Sequence, residues 1–244
     1  MTETLLQPTV DAWWAARDES GDPIVFSAVF LGGGSCAEAI GLVGAIIQAV
    51  GGGDIVSALS TTRLWIDITI LDSGAWEAVV EAARGAVADM ISALGVPEQA
   101  IQFAITWERC NLLPAIPEGQ DTGNESDGGL DLHGPSPDAW AAVAGAHVVT
   151  CMYTIAELLR LSRPATSALF AKVLQTMTAG SVLLVADPAV NSDAGSTPVW
   201  VDESVVASSR QARLLDASSY KFSVAKETLT ASDLAPLCAR LKFR

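Results

Sequence analysis

Positive charge is scarce in this sequence: 14 Lys and Arg stand against 28 Asp and Glu, for a formal net charge of −14. That balance disfavours non-specific attraction to phosphate backbones. Paired cysteines are missing too. Cys36, Cys110, Cys151 and Cys238 lie far apart with no C-x-x-C spacing, and they read as free thiols in a reducing compartment rather than disulfides or a zinc site. No apolar run is long enough to span a bilayer; "AIGLVGAIIQAV" carries Gln48 and sits between Glu38 and Asp54. The opening "MTETLLQPTV" has no basic region or cleavage pattern, so no secretory leader is expected. A P-loop signature is absent, which argues against a phosphotransferase of that type. There is no Ser-His-Asp order, metal-ligand spacing or convergent carboxylate pair. Of the two histidines, His133 reads as an exposed loop residue and His147 as a satisfied core residue.

What is present is a chain that can build a core. Half of its 244 residues are hydrophobic and 17% are charged, which fits one α/β domain with a sizeable core rather than a disordered chain. Apolar runs alternate with helical patterns. Strands are expected over 22–31, 62–71, 100–107, 146–154 and 181–187. Between them lie a helix over 37–50 and a second beginning at Ser73 as N-cap and stopping at Gly95 and Pro97. A short helix capped by Ser136 with Pro137 in its first turn follows, and then one over 164–180. This alternation predicts a mostly parallel, doubly wound sheet. Residues 118–138 hold six acids and no Lys or Arg, and are expected to be a flexible surface loop.

The chemistry-bearing stretch is "VFLGGGSCAEAIGL", where a strand gives way to three glycines and then a helix. Three glycines together cost backbone entropy. The usual reason is a ligand that approaches the main chain at a helix N-terminus, outside the carboxyl end of a sheet. Asp72 closes the second strand, where a carboxylate can accept both hydroxyls of a ribose. A tight turn plus a capping aspartate would produce the same letters. Gly32, Gly34 and Ala37 fit G-x-G-x-x-A, so NAD is a candidate ligand, although Asp72 lies well beyond the ~20-residue spacing of that fingerprint.

The ordered set "FLGGGSCAE", "ILDSGAW", "NLL", "VVTCMYTIAEL" and "GSVLLVADP" resembles a class I S-adenosylmethionine (SAM)-dependent methyltransferase. More narrowly, it resembles the fungal large-subunit rRNA uridine-N3 methyltransferase family, over nearly the whole chain including "TPVWVDESVV" and "CARLKFR". The resemblance implies a Rossmann-like seven-stranded sheet in a single SAM-binding domain over 1–244, with "LCARLKFR" as an antiparallel last strand. It implies SAM as cofactor, with Gly32, Gly33 and Gly34 along its methionine and ribose part. Glu38 would orient the loop or the cofactor's amino group, and Asp72 would hold the ribose hydroxyls. Trp76 would lie near the adenine, or else be a core aromatic on its helix. Asn111 stands where many such enzymes carry an aspartate near the adenine amine. Cys151, Met152, Tyr153 and Thr154 would border the sulfonium centre, and Tyr153, Thr154, Asp187 and Trp200 are the acceptor-pocket candidates.

No general base is assigned and no metal is expected. Three readings follow. A methyltransferase with a small-molecule acceptor is favoured by the charge of −14. An rRNA methyltransferase is what the resemblance names, with net charge +4 from Arg210 onward as its electrostatic support. The third is a SAM-binding protein that no longer methylates, a cyclase or partner module. The expected location is cytoplasmic, or nuclear if the acceptor is rRNA, with no membrane partner.

Overall fold

A computed structural model of the chain describes residues 23–34, 36–51, 63–95, 97, 99–113 and 133–186, together with Val10 and Leu59. All of them belong to one compact unit, Met1–Ala212. Five strands, β1 (Ile24–Leu31), β2 (Leu64–Asp72), β3 (Ile101–Arg109), β4 (Val148–Met152) and β5 (Val182–Ala186), form one sheet in the order β3-β2-β1-β4-β5. Every pairing is parallel. The crossovers are α1 (Ala37–Gly51), α2 (Glu77–Ala93), α3 (Pro137–Gly145), α4 (Ile155–Leu161) and α5 (Arg163–Thr176). The expected sixth and seventh strands, the latter in "LCARLKFR", lie outside the described residues, as do residues 118–132 of the acidic segment.

The strands form where the sequence is apolar because the sheet is covered on both faces. Phe26, Ala28 and Phe30 of β1 point into one core with Ile66, Ile68 and Ile70 of β2, Leu42 and Ile46 of α1, and Val80 and Val87 of α2. Val29 and Leu31 point the other way, to Val149 and Cys151 of β4, Val143 of α3, Ile155 of α4 and Phe170 of α5. Each fully buried large side chain contributes about 1.5–3 kcal/mol. Coverage of the second face thins over β2. There Trp65 is 42% exposed while Ile66 and Ile68 are sealed, so β2 alternates where β4 is buried throughout.

Most expected helix ends hold. Ser136 Oγ accepts from Ala139 N at 3.1 Å with Pro137 at the first position of α3, and Glu108 at the end of β3 accepts from Ser136 N and Oγ at 2.7 and 2.6 Å. Gly95 turns at φ +67 after α2. Ser73 does not cap α2. The helix begins at Glu77, with Trp76 at the N-cap position and no side-chain cap bond. The reason is local: Gly74 N–H donates to Asp72 Oδ1 at 2.8 Å, which closes an Asx turn and delays the helix. The strand expected over 146–154 is shorter, and α4 follows it.

Candidate functional site

The sheet order reverses between β1, which pairs with β2 on one side, and β4 on the other. Their crossovers leave on opposite faces, so a crevice opens at their carboxyl ends, where ligands of such sheets bind. The glycine loop stands at that crevice. Gly32 turns at φ +78, a conformation open to glycine, and its N–H donates to Leu71 O at 2.8 Å. Thr154 closes the crevice from the β4 side, donating from Oγ1 to Gly32 O at 3.3 Å and to Met152 O at 3.1 Å. A Cβ on Gly32 would overlap the Thr154 side chain, and one on Gly33 would crowd Phe30. Part of the answer to the triple glycine is therefore the protein's own packing.

Asp72 gathers the other side. Its Oδ2 accepts from Gly34 N at 3.1 Å and its Oδ1 from Gly74 N at 2.8 Å, so the carboxylate ties the glycine loop to the turn before α2. Each oxygen keeps a further lone pair, and the residue is half-buried, so it can still accept from a ligand hydroxyl. The indole of Trp76 lies across both glycines, where a Cβ on either would overlap it. Among the described residues Trp76 Nε1, which is buried, has no hydrogen-bond partner, an arrangement that costs about 1–3 kcal/mol.

Glu38 sits in the first turn of α1 and is buried, with its charge at the favourable end of the helix. Cys36, just before it, is held at φ +57 and directs its Sγ toward Gly34 O at 3.6 Å. Burial, with the Glu38 charge second, pushes its thiol up to about 11. Cys110 follows β3, and burial pushes it up to about 12. Both are thiols at neutral pH and poor nucleophiles.

Of the remaining expected residues, Tyr153 stands at the end of β4 with φ +61 and is 46% exposed. Met152 is buried beneath it, while Cys151 is fully buried in the core shared with α3, α4 and α5. Asn111 is exposed, and its Oδ1 accepts from Leu113 N at 3.1 Å. Asp187 and Trp200 lie outside the described residues. His147 lies away from the crevice, where β4 enters the sheet; its Nδ1 accepts from Ser27 N at 3.1 Å and burial lowers its pKa. Gly74 was not singled out from the sequence, although the D-x-G spacing of an Asx turn was there to be read.

A hollow of about 210 Å³ between α3 and the middle of the sheet, lined by Ser27, Asp67, Thr69 and Gly145 among others, shares none of the crevice residues. Among the described residues no helix is long and apolar enough to cross a membrane. Among them, too, no group of three or more His, Cys, Asp or Glu is placed to hold a metal ion.

A parallel sheet in this order, with a glycine loop after β1 and a carboxylate at the end of β2, defines a Rossmann-like α/β protein. The family model described as "Putative SAM-dependent methyltransferase" matches residues 6–196, well over half of the chain, and the chain belongs to that family. Membership implies SAM as the cofactor. No curated protein matches the chain. The donor set fits this group: a half-buried carboxylate with lone pairs to spare, beside a glycine main chain.

Proposed function

We propose that the chain is a SAM-dependent methyltransferase whose acceptor is a small molecule. The observation that carries the reading is the clasp at the crevice, where one carboxylate, Asp72, holds Gly34 and Gly74 side by side at the carboxyl ends of β1 and β2. In this reading Asp72 accepts the ribose hydroxyls and the glycine loop admits the methionine part, with Glu38 beside the loop, Trp76 and Asn111 toward the adenine, and Cys151 and Met152 toward the sulfonium centre. When bound, SAM supplies an activated methyl group, and the protein's task is to align an acceptor and exclude water.

Tyr153 and Thr154 face that task from the end of β4, and we group Asp187 and Trp200 with them. A non-glycine residue held at positive φ beside the crevice is the kind of strain that persists at working sites. We assign no general base. The two thiols near the crevice are pushed up, and His147 is committed to Ser27.

Net charge −14 supports the small-molecule acceptor. The rRNA uridine reading retains its resemblance and the +4 of residues 210–244, and the same experiment separates the two. Calorimetric titration of SAM should show binding that Asp72→Ala weakens by ~1.5–3 kcal/mol, the range of a charge-assisted hydrogen bond. A methyl-transfer screen with labelled SAM should then find a small-molecule acceptor and leave ribosomal RNA unmodified. Uridine methylation in purified ribosomal RNA would establish the other acceptor. Binding without any transfer would favour the non-methylating reading.

A further inference from the structure

Gly34 and Gly74 have two jobs at once. Their N–H groups anchor the Asp72 carboxylate, and their bare Cα atoms are the seat of the Trp76 indole. The pyrrole edge of that indole fills the gap between the glycine loop and the turn after β2. A ligand that packs against the Cα of Gly34 meets the indole first.

Among the described residues, no acceptor holds the indole there. Trp76 Nε1 is sealed from solvent without an acceptor, although an indole N–H ordinarily finds a partner when buried. Trp107 on β3 also buries Nε1 unpartnered, but none of the described glycines is pressed by it. The segment that carries Trp76 is tied through its main chain, with Gly74 N–H donating to Asp72 Oδ1 and Ser73 O accepting from Arg109 Nε at 3.1 Å, so the freedom to move lies in the Trp76 side chain. Ser73 and Ala75 are exposed, Gly74 lies between them, and α2 begins without a side-chain cap. The ring itself is only partly buried against the first core. Such a side chain has a packed position and something to gain by leaving it.

We infer that Trp76 is a gate on the cofactor crevice: its indole occupies the gap between Gly34 and Gly74 and is displaced when SAM engages the loop. Once displaced, Nε1 bonds water. The inference rests on placing the cofactor at the glycine loop and Asp72. Because the packed position competes with the ligand, the observed affinity is the intrinsic affinity reduced by the fraction of open protein.

The test uses the full chain with S-adenosylhomocysteine as the probe. Stopped-flow association and calorimetry compare wild type with Trp76→Ala and Trp76→Phe. Fluorine spectra of protein carrying 5-fluorotryptophan follow the indole directly, with the Trp76 resonance assigned by its loss in Trp76→Phe. Association should be about tenfold faster in Trp76→Ala, with affinity equal or tighter. The Trp76 resonance should move to a solvent-exposed position on saturation. A folded Trp76→Ala that binds about tenfold more weakly overturns the gate and makes the indole a fixed wall, as does a resonance that stays buried in saturated wild type. The fluorine shift is read on the wild-type fold, so misfolding of the alanine variant leaves the test intact. If Asp72→Ala binds as wild type does, the placement of the cofactor fails, and the gate with it.

Discussion

The two ends of the sheet are built on different terms. Where β4 enters, the main chain of His147 is paired on both sides. His147 N–H donates to Ser27 O at 2.8 Å, Ser27 N–H returns to His147 Nδ1 at 3.1 Å, and Val182 N–H donates to His147 O at 2.9 Å. Phe26 stacks on the imidazole with ring centroids 5.4 Å apart and an interplanar angle of 19°. At the carboxyl ends the chain turns through positive φ at Gly32, Cys36 and Tyr153, and Trp76 buries an unpartnered N–H. Among the described residues, non-glycine positive φ is found at the carboxyl ends and not at the other. Departures of this kind collect where a ligand is handled, and the regular remainder supports them.

The sharpest way to break this comparison is to damage the ordered end and ask whether the crevice notices. Phe26 is fully buried in the core under α1 and α2. Phe26→Ala leaves a cavity there and should cost ~3–5 kcal/mol in urea denaturation. In the fraction that stays folded, SAM affinity by calorimetry should be unchanged. A parallel loss of affinity would mean that the two ends are one cooperative unit and that the division drawn above is false.

A smaller effect, opposite in sign, tests the strained end. Tyr153 is held at φ +61, where an L-residue pays ~1–2 kcal/mol that glycine does not. Comparing Tyr153→Gly with Tyr153→Ala removes the ring from both, so their difference reports the backbone alone. The glycine variant should be the more stable by about 1 kcal/mol, after the extra entropy of its unfolded chain is subtracted. Methyl transfer should fall in both if the ring positions the acceptor. If alanine proves the equal of glycine, Tyr153 carries no backbone strain.

This contrast also explains what could be read in advance. The strands were legible because burial on two faces demands long apolar runs, and all five described strands fall within or beside theirs. Gly32, Gly34 and Asp72 were legible because strand, glycine loop and strand-end carboxylate follow one another in a recognisable order. The misses lie where tertiary contacts override local pattern. Residues 155–161 form a helix of seven residues with only Ile155 and Leu158 buried, too short for a periodicity to show. It starts just after Tyr153, a residue type that gives no sign of a left-handed turn. Ser73 had the chemistry of a cap, but the Asp72 carboxylate had already claimed Gly74 N–H. Thr154 and Gly32 meet across 122 residues of sequence, a contact that no local spacing encodes.

The smallest expected effect belongs to the ordered end and depends on pH. Burial lowers the pKa of His147 below its ordinary value of 6.5. The folded protein therefore holds its proton less tightly than the unfolded chain does. Between the two pKa values the unfolded state binds more protons, so stability rises with pH across that window. The contribution is complete above pH 6.5 and is lost as the pH falls through the folded value. Protonation would also place a hydrogen on Nδ1, the atom that now accepts from Ser27 N, so the charged form loses a bond as well as solvent. His147→Asn is the instructive variant, because its side-chain oxygen can take the place of Nδ1 as acceptor but does not titrate. Urea midpoints measured from about pH 7.5 to about pH 5.5 should slope downward more steeply for wild type than for His147→Asn, across the range in which histidine titrates. Equal slopes would mean that His147 changes charge as easily in the fold as in water, and that this end of the sheet is less closed than its hydrogen bonds imply.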